Sequence, residues 1–129
     1  MGFYDDLLKA KDDAIKPACK TCGFDADTVS QNHNEDITDK IIAEIKSSRF
    51  VISEFTHGNQ GAYYEAGFAR GYGLPVICCC NRDWFEEVDA NGVRKNRLHF
   101  DVEHINTIFW SNLEELRDKL IDRIKANIL

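Results

Sequence analysis

The chain has 129 residues, 43% of them hydrophobic, enough for one core flanked by helices and too few for a second domain. Its 22 acidic residues outnumber 16 basic ones for a formal net charge of −6, and no Lys/Arg stripe stands out, which disfavours nucleic acid and membrane surfaces as partners. No run of ~18 apolar residues occurs and Met1-Gly-Phe-Tyr-Asp-Asp is acidic rather than a basic targeting segment, so a soluble cytoplasmic protein is expected.

Tyr4, Leu7, Leu8, Ala14, Ile15 and Ala18 recur at helical spacing and predict a helix over residues 5–22, with Gly23 where a C-cap belongs. Phe24-Asp-Ala-Asp-Thr-Val-Ser30 can form a short strand, and the polar Gln31-Asn-His-Asn-Glu-Asp36 follows it. Asp36 can cap a second helix that turns Ile37, Ile41, Ile42 and Ile45 to the core and ends near Arg49.

The next stretch is the most informative. Apolar residues 50–55 suit a buried strand, Gly58-Asn59-Gln60-Gly61 leaves backbone amides at a helix start, and Pro75-Val-Ile-Cys-Cys-Cys80 suits a second buried strand. Between the strands lies a short helix that carries Glu65. In an open parallel sheet, ligands bind beyond the carboxyl ends of the strands, where this loop and Glu65 would sit.

Residues 94–102 read as a charged loop turning into Leu98-His-Phe-Asp-Val, and Asn106-Thr-Ile-Phe-Trp110 as a strand. Ser111 or Asn112 then caps a final helix burying Leu113, Leu116, Leu120, Ile124 and Ile128.

Strands alternating with helices predict a three-layer α/β/α sandwich with a mainly parallel sheet of four to five strands. Such domains ordinarily open on their central strand, whereas this sequence opens on a helix, so the usual first strand is expected to be absent or supplied from elsewhere. The sheet edge beside that position would favour dimerisation or a rearranged strand order.

The five cysteines admit two readings. Cys19-Lys-Thr-Cys22 has the spacing of a redox or zinc half-site. Cys19 also continues an apolar helical face, and alternate members of Cys78-Cys79-Cys80 would bury on opposite sides of a strand, which favours structural thiols.

Three segments together carry a family resemblance: Asp36-Ile-Thr-Asp-Lys-Ile-Ile-Ala-Glu-Ile-Lys-Ser-Ser-Arg-Phe-Val-Ile, Asn59-Gln-Gly-Ala-Tyr-Tyr-Glu-Ala-Gly-Phe-Ala, and Gly73-Leu-Pro-Val-Ile. The sequence resembles the nucleoside 2-deoxyribosyltransferase-like superfamily, a flavodoxin-like relative of Toll/interleukin-1 receptor (TIR) nucleotide-binding domains. The resemblance implies a flavodoxin-like fold and a small-molecule nucleoside or nucleotide as ligand. It also implies a homodimer or higher homo-oligomer. Glu65 matches the family's nucleophile, which attacks the sugar anomeric carbon. Asn59 stands where the family carries a sugar-binding aspartate, a loss of charge at that position. Leu98-His-Phe-Asp101 resembles a segment of bacterial TIR-like members.

The chemistry fits independently of the family. Cleaving an N-glycosidic bond builds oxocarbenium character that a fixed carboxylate can stabilise or trap covalently, and no metal or other cofactor is required. Around Glu65 the expected substrate-binding residues are His57, Gly58, Gly61, Tyr64, Glu54, His99 and Asp101. Each has a plainer reading: Glu65 as a solvated helix residue, Asn59 as a helix cap, His57 as a surface loop residue, Glu54 as a strand-end carboxylate. His99 and Asp101 could equally form a turn, and Tyr63, Tyr64, Phe68 and Tyr72 a packing face. The alternative functions are a TIR-like module that binds or senses a nucleotide without turning it over, as in bacterial defence or signalling, and a domain that only associates through its sheet edge.

Overall fold

A computed structural model of the protein describes residues 5–28, 39–98 and 106–129. Among these, three strands form one parallel sheet: β1 (Val51–Glu54), β2 (Val76–Asn81) and β3 (Ile108–Trp110), in the order β1-β2-β3. Val51 pairs with Val76 and Glu54 with Cys79; Cys79 also pairs with Ile108, and Asn81 with Trp110. The central β2 is apolar from Val76 to Cys80 because both of its faces are covered. Ile77 and Cys79 turn to one face, Val76, Cys78 and Cys80 to the other, so the cysteine run splits across the sheet as its alternation implies.

On the first face the chain opens with α1 (Asp5–Ala10), a π-helical turn at Lys11–Ile15 and α2 (Lys16–Thr21). The single helix expected over residues 5–22 is thus one helical run interrupted by a turn with longer-range hydrogen bonding. Its buried stripe is Ala10, Ala14 and Ala18, and it meets Leu116, Leu120 and Ile124 of the last helix, α6 (Leu113–Asn127). Two rows at i, i+4 spacing, one small and one large, let these helices approach closely. Gly23 follows α2 in the left-handed region (φ 90°), while Cys22 is the capping position. Residues 24–28 form no strand; Phe24 packs edge-on against Phe50 at 5.1 Å instead. Val29 and Ser30, and Asp36 with its expected cap, lie outside the described residues.

The opposite face is covered by α3 (Asp39–Lys46) and α4 (Gln60–Tyr72). Ile41 and Ile45 of α3 pack with Ala69 and Val51, while Ala62 and Ala66 of α4 pack against Phe55, Cys78 and Cys80. The Ser47 and Ser48 hydroxyls donate to the Glu44 carbonyl at 3.0 and 2.8 Å, so α3 stops short of Arg49. Gly73 ends α4 with φ 99°, a conformation that L side chains rarely adopt. A short α5 (Arg82–Phe85) follows β2, and Asn112 caps α6 by accepting from Glu115 N at 2.8 Å. The described part is therefore a mixed α/β fold with a three-stranded parallel sheet, and none of its helices is long and apolar enough to cross a membrane.

Candidate functional site

Because the strands are parallel, Glu54, Asn81 and Trp110 all end at the same side of the sheet, where open α/β domains bind ligands. They are tied together through one carboxylate. Glu54 Oε2 accepts from the Trp110 indole Nε1–H at 2.9 Å, and Oε1 accepts from Thr56 N–H at 3.0 Å and from the Thr56 hydroxyl. Thr56 Oγ1 in turn accepts from Asn81 N at 2.8 Å, and Asn81 Oδ1 caps α5 by accepting from Trp84 N at 2.9 Å. Burial pushes the Glu54 carboxyl above its usual value, the nearby Asp6 charge adds to the rise, and the Thr56 and Trp110 donors counter both. Glu54 lies on the face of the sheet shared with α1 and α6, since it alternates with Ser53 and Phe55.

After β1 the chain makes a 3₁₀ turn at Thr56–Gly58. His57 takes a left-handed conformation (φ 66°, ψ 14°), uncommon for a non-glycine residue, and Gly58 follows at φ 68°. His57 Nε2 lies 2.9 Å from Asp6 Oδ2, and its ring meets Trp84 edge-on with centroids 6.2 Å apart. Asn59 then caps α4, its side chain accepting from Ala62 N at 3.3 Å, so its amide serves the helix start. Gly61 is in the first turn of α4, and Tyr64 is exposed. Glu65 is half-buried, on the helix that carries the Ala62, Ala66 and Ala69 packing stripe. Ser53, also buried on this face, has a hydroxyl without a hydrogen-bond partner. His99 and Asp101 lie outside the described residues.

Two cavities border the sheet. One, of about 400 Å³, is walled by His57, Trp84, Arg94, Lys95 and Arg97. The other, of about 510 Å³, runs along β3 and α6, with Arg82, Lys119, Asp122 and Arg123 on its walls. In this second cavity the cations serve the fold. The Phe109 carbonyl accepts from Arg82 Nη2 and Lys119 Nζ, both at 3.0 Å, and the Asn106 carbonyl accepts from Arg123 Nη1 at 2.7 Å. Among the described residues β3 ends the strand order, so Arg82 and Lys119 occupy a backbone carbonyl of an edge strand, and Arg123 one in the segment that leads into it. Glu115 completes the cluster, 2.8 Å from Lys119 Nζ and 3.5 Å from Arg82 Nη1. The hydrogen bond from Lys119, then that from Ser111 N–H, holds the Glu115 carboxyl down at about 2.

Of the expected residues, His57 and Gly58 line the 400 Å³ cavity; Glu54 and Glu65 line neither cavity. The basic segment and Trp84 were not expected there. Their sequence signal, a charged loop some ten residues beyond a capped short helix, says nothing of where the loop folds back. Cys19, Cys78 and Cys79 are buried free thiols whose pKa values burial raises, Cys19 to about 11, so they are poor nucleophiles at neutral pH. No group of three or more His, Cys, Asp or Glu suited to a metal ion occurs among the described residues.

No family model matches the chain, and neither any curated protein nor any solved structure matches it significantly.

Proposed function

We propose that the protein breaks the N-glycosidic bond of a nucleoside or nucleotide, by hydrolysis or deoxyribosyl transfer, with Glu65 as nucleophile. The observation that carries this reading is the gathering of polar groups at the carboxyl end of the sheet: the Glu54–Thr56–Trp110 network, the His57–Gly58 turn, and the capped start of α4, which bears Glu65. The resemblance of residues 59–69 to the deoxyribosyltransferase-like motif supports it, as does the parallel α/β sheet, which suits a flavodoxin-like domain of four to five strands.

In the proposed reaction a Glu65 carboxylate oxygen forms a bond to the anomeric carbon as the carbon–nitrogen bond breaks. The base leaves with that electron pair and gains a proton. Solvent water supplies that proton. Water or a second base then attacks the anomeric carbon and frees Glu65. A homo-oligomer that completes the pocket belongs to the same reading.

Overnight incubation with deoxynucleosides, their 5′-monophosphates and NAD, followed by chromatography for free base, tests it. Base release that Glu65→Gln abolishes while ligand binding persists is the expected result. Absence of free base from a folded protein across the panel would overturn it.

A second reading, a nucleotide-binding module without turnover, has its own supporting observation. The cationic cavity is lined by His57, Arg94, Lys95 and Arg97 but not by Glu65. Binding without product from the unmodified protein is its signature.

A further inference from the structure

We infer that the cavity walled by His57, Trp84, Arg94, Lys95 and Arg97 is an anion subsite for the phosphate of a nucleotide, so that 5′-phosphorylated compounds are preferred over free nucleosides. This inference rests on the proposed nucleoside or nucleotide ligand and narrows it.

The first support is a local reversal of charge. The chain carries a net charge of −6, yet three permanent cations border this cavity and, among the described residues, no carboxylate lines it; Asp6 and Glu87 reach it only as the partners of His57 and Lys95. Low-dielectric walls focus such a field on a small anion.

The second support is the state of those cations. The Arg97 guanidinium has no ion pair or hydrogen bond among the described residues. The Arg94 guanidinium carbon sits over the Phe85 ring, 3.8 Å from its centroid, and the only hydrogen bond of this side chain among the described residues is a long one, from Nη2 to the Asn96 carbonyl at 3.5 Å. Lys95 pairs with Glu87 at 3.6 Å, but both side chains are about half exposed (51% and 50%), so the pair is weak and a doubly charged phosphate can displace it. A planar guanidinium fork matches phosphate oxygens, and both arginines can offer one.

The third support is preorganisation. The segment 94–97 is held by hydrogen bonds on both sides. Asp89 Oδ1 accepts from Asn91 N and Val93 N at 2.8 and 3.0 Å, Lys95 N donates to the Glu87 carbonyl at 3.0 Å, and Val88 bridges Arg94 antiparallel. The Asn96 side chain donates to the Trp84 carbonyl at 2.7 Å, pinning the arm against α5. The backbone that carries the cations therefore needs little ordering when a ligand arrives. His57 lines the same cavity and follows Glu54 by three residues, so a phosphate there would place the rest of a nucleotide beside the strand ends. At about 400 Å³ the space is within the range of small-molecule sites. A nucleic-acid polymer fits less well, because the basic residues form one cavity rather than a stripe and the rest of an acidic chain would repel its backbone.

The test is calorimetry on Glu65→Gln, and on Glu65→Gln carrying Arg94→Gln and Arg97→Gln, at low salt. The probes are deoxynucleoside 5′-monophosphates, the matching nucleosides, inorganic pyrophosphate and a short single-stranded oligodeoxynucleotide. Circular dichroism confirms that each variant is folded. The monophosphate should bind at least ~10-fold tighter than the nucleoside, with a preference that shrinks as salt rises. Pyrophosphate should compete with it, and the double arginine substitution should abolish both effects while sparing nucleoside affinity. Equal affinity for nucleoside and monophosphate, or a phosphate preference that survives the arginine substitutions, overturns the subsite. So does an oligonucleotide that binds more than ~10-fold tighter than the monophosphate. Arginine-dependent pyrophosphate binding with no recognition of nucleoside or nucleotide supports an anion subsite while overturning the N-glycosidic reading. Base release from nucleosides without pyrophosphate binding does the reverse.

Discussion

The two cavities that border the sheet each hold three permanent cations on their walls, and the partners of those cations differ. Along β3, Arg82, Lys119 and Arg123 donate to backbone carbonyls, and Glu115 neutralises two of them. Beside α5, Arg94 rests on an aromatic ring, Lys95 shares an exposed pair, and Arg97 has no partner among the described residues. The number of permanent cations is the same. What separates a structural cluster from a candidate ligand site is whether the hydrogen-bonding capacity of the cations is already filled.

That contrast can be broken first at β3. Arg82→Ala combined with Lys119→Ala should cost about 1–2 kcal/mol, a modest value because the side chains are a third to a half exposed, and should increase self-association through the uncovered edge strand. Urea unfolding and analytical ultracentrifugation read the two effects. Arg94→Gln with Arg97→Gln, measured the same way, should move stability by no more than ~0.5 kcal/mol, since these residues hold little of the fold in place. Equal losses from the two pairs would erase the distinction.

A smaller effect sharpens the contrast through pH. Glu115 is held at about 2 against an ordinary 4.5, chiefly by Lys119, so it favours the fold when ionised. Its contribution is fully present above 4.5 and is lost as the pH falls toward 2. The raised carboxyl of Glu54 acts in the opposite sense, its contribution being present at low pH and lost as pH rises through its elevated value. Urea midpoints measured from pH 5 down to 2 should fall less steeply in Glu115→Gln than in the unmodified protein. An unchanged slope would mean that the edge cluster contributes nothing through this carboxylate.

Much of the scaffold was legible in the sequence. Continuous apolar runs marked β1 and β2, the i, i+4 pattern with Asn112 marked α6, and Asn59 marked the start of α4. Local pattern failed where distant contacts decide. The π-helical turn at Lys11–Ile15 leaves no periodicity break in so short a stretch, and residues 24–28 are placed by Phe24 against Phe50 rather than by strand pairing. The site was less legible for the same reason. Glu54 drew notice as a strand-end acid, but the Trp110 donor that holds it lies 56 residues away. Residues 94–97 read as a charged loop because the Asp89 turn and the Asn96–Trp84 bond that fold them onto α5 leave no periodic trace.

The most direct measurement is a crystal structure of Glu65→Gln with a deoxynucleoside 5′-monophosphate. The account expects the phosphate against Arg94 and Arg97, and the anomeric carbon within roughly 3–3.5 Å of the side chain at position 65. A nucleotide seated along β3, or one whose anomeric carbon lies beyond the reach of that side chain, would contradict it.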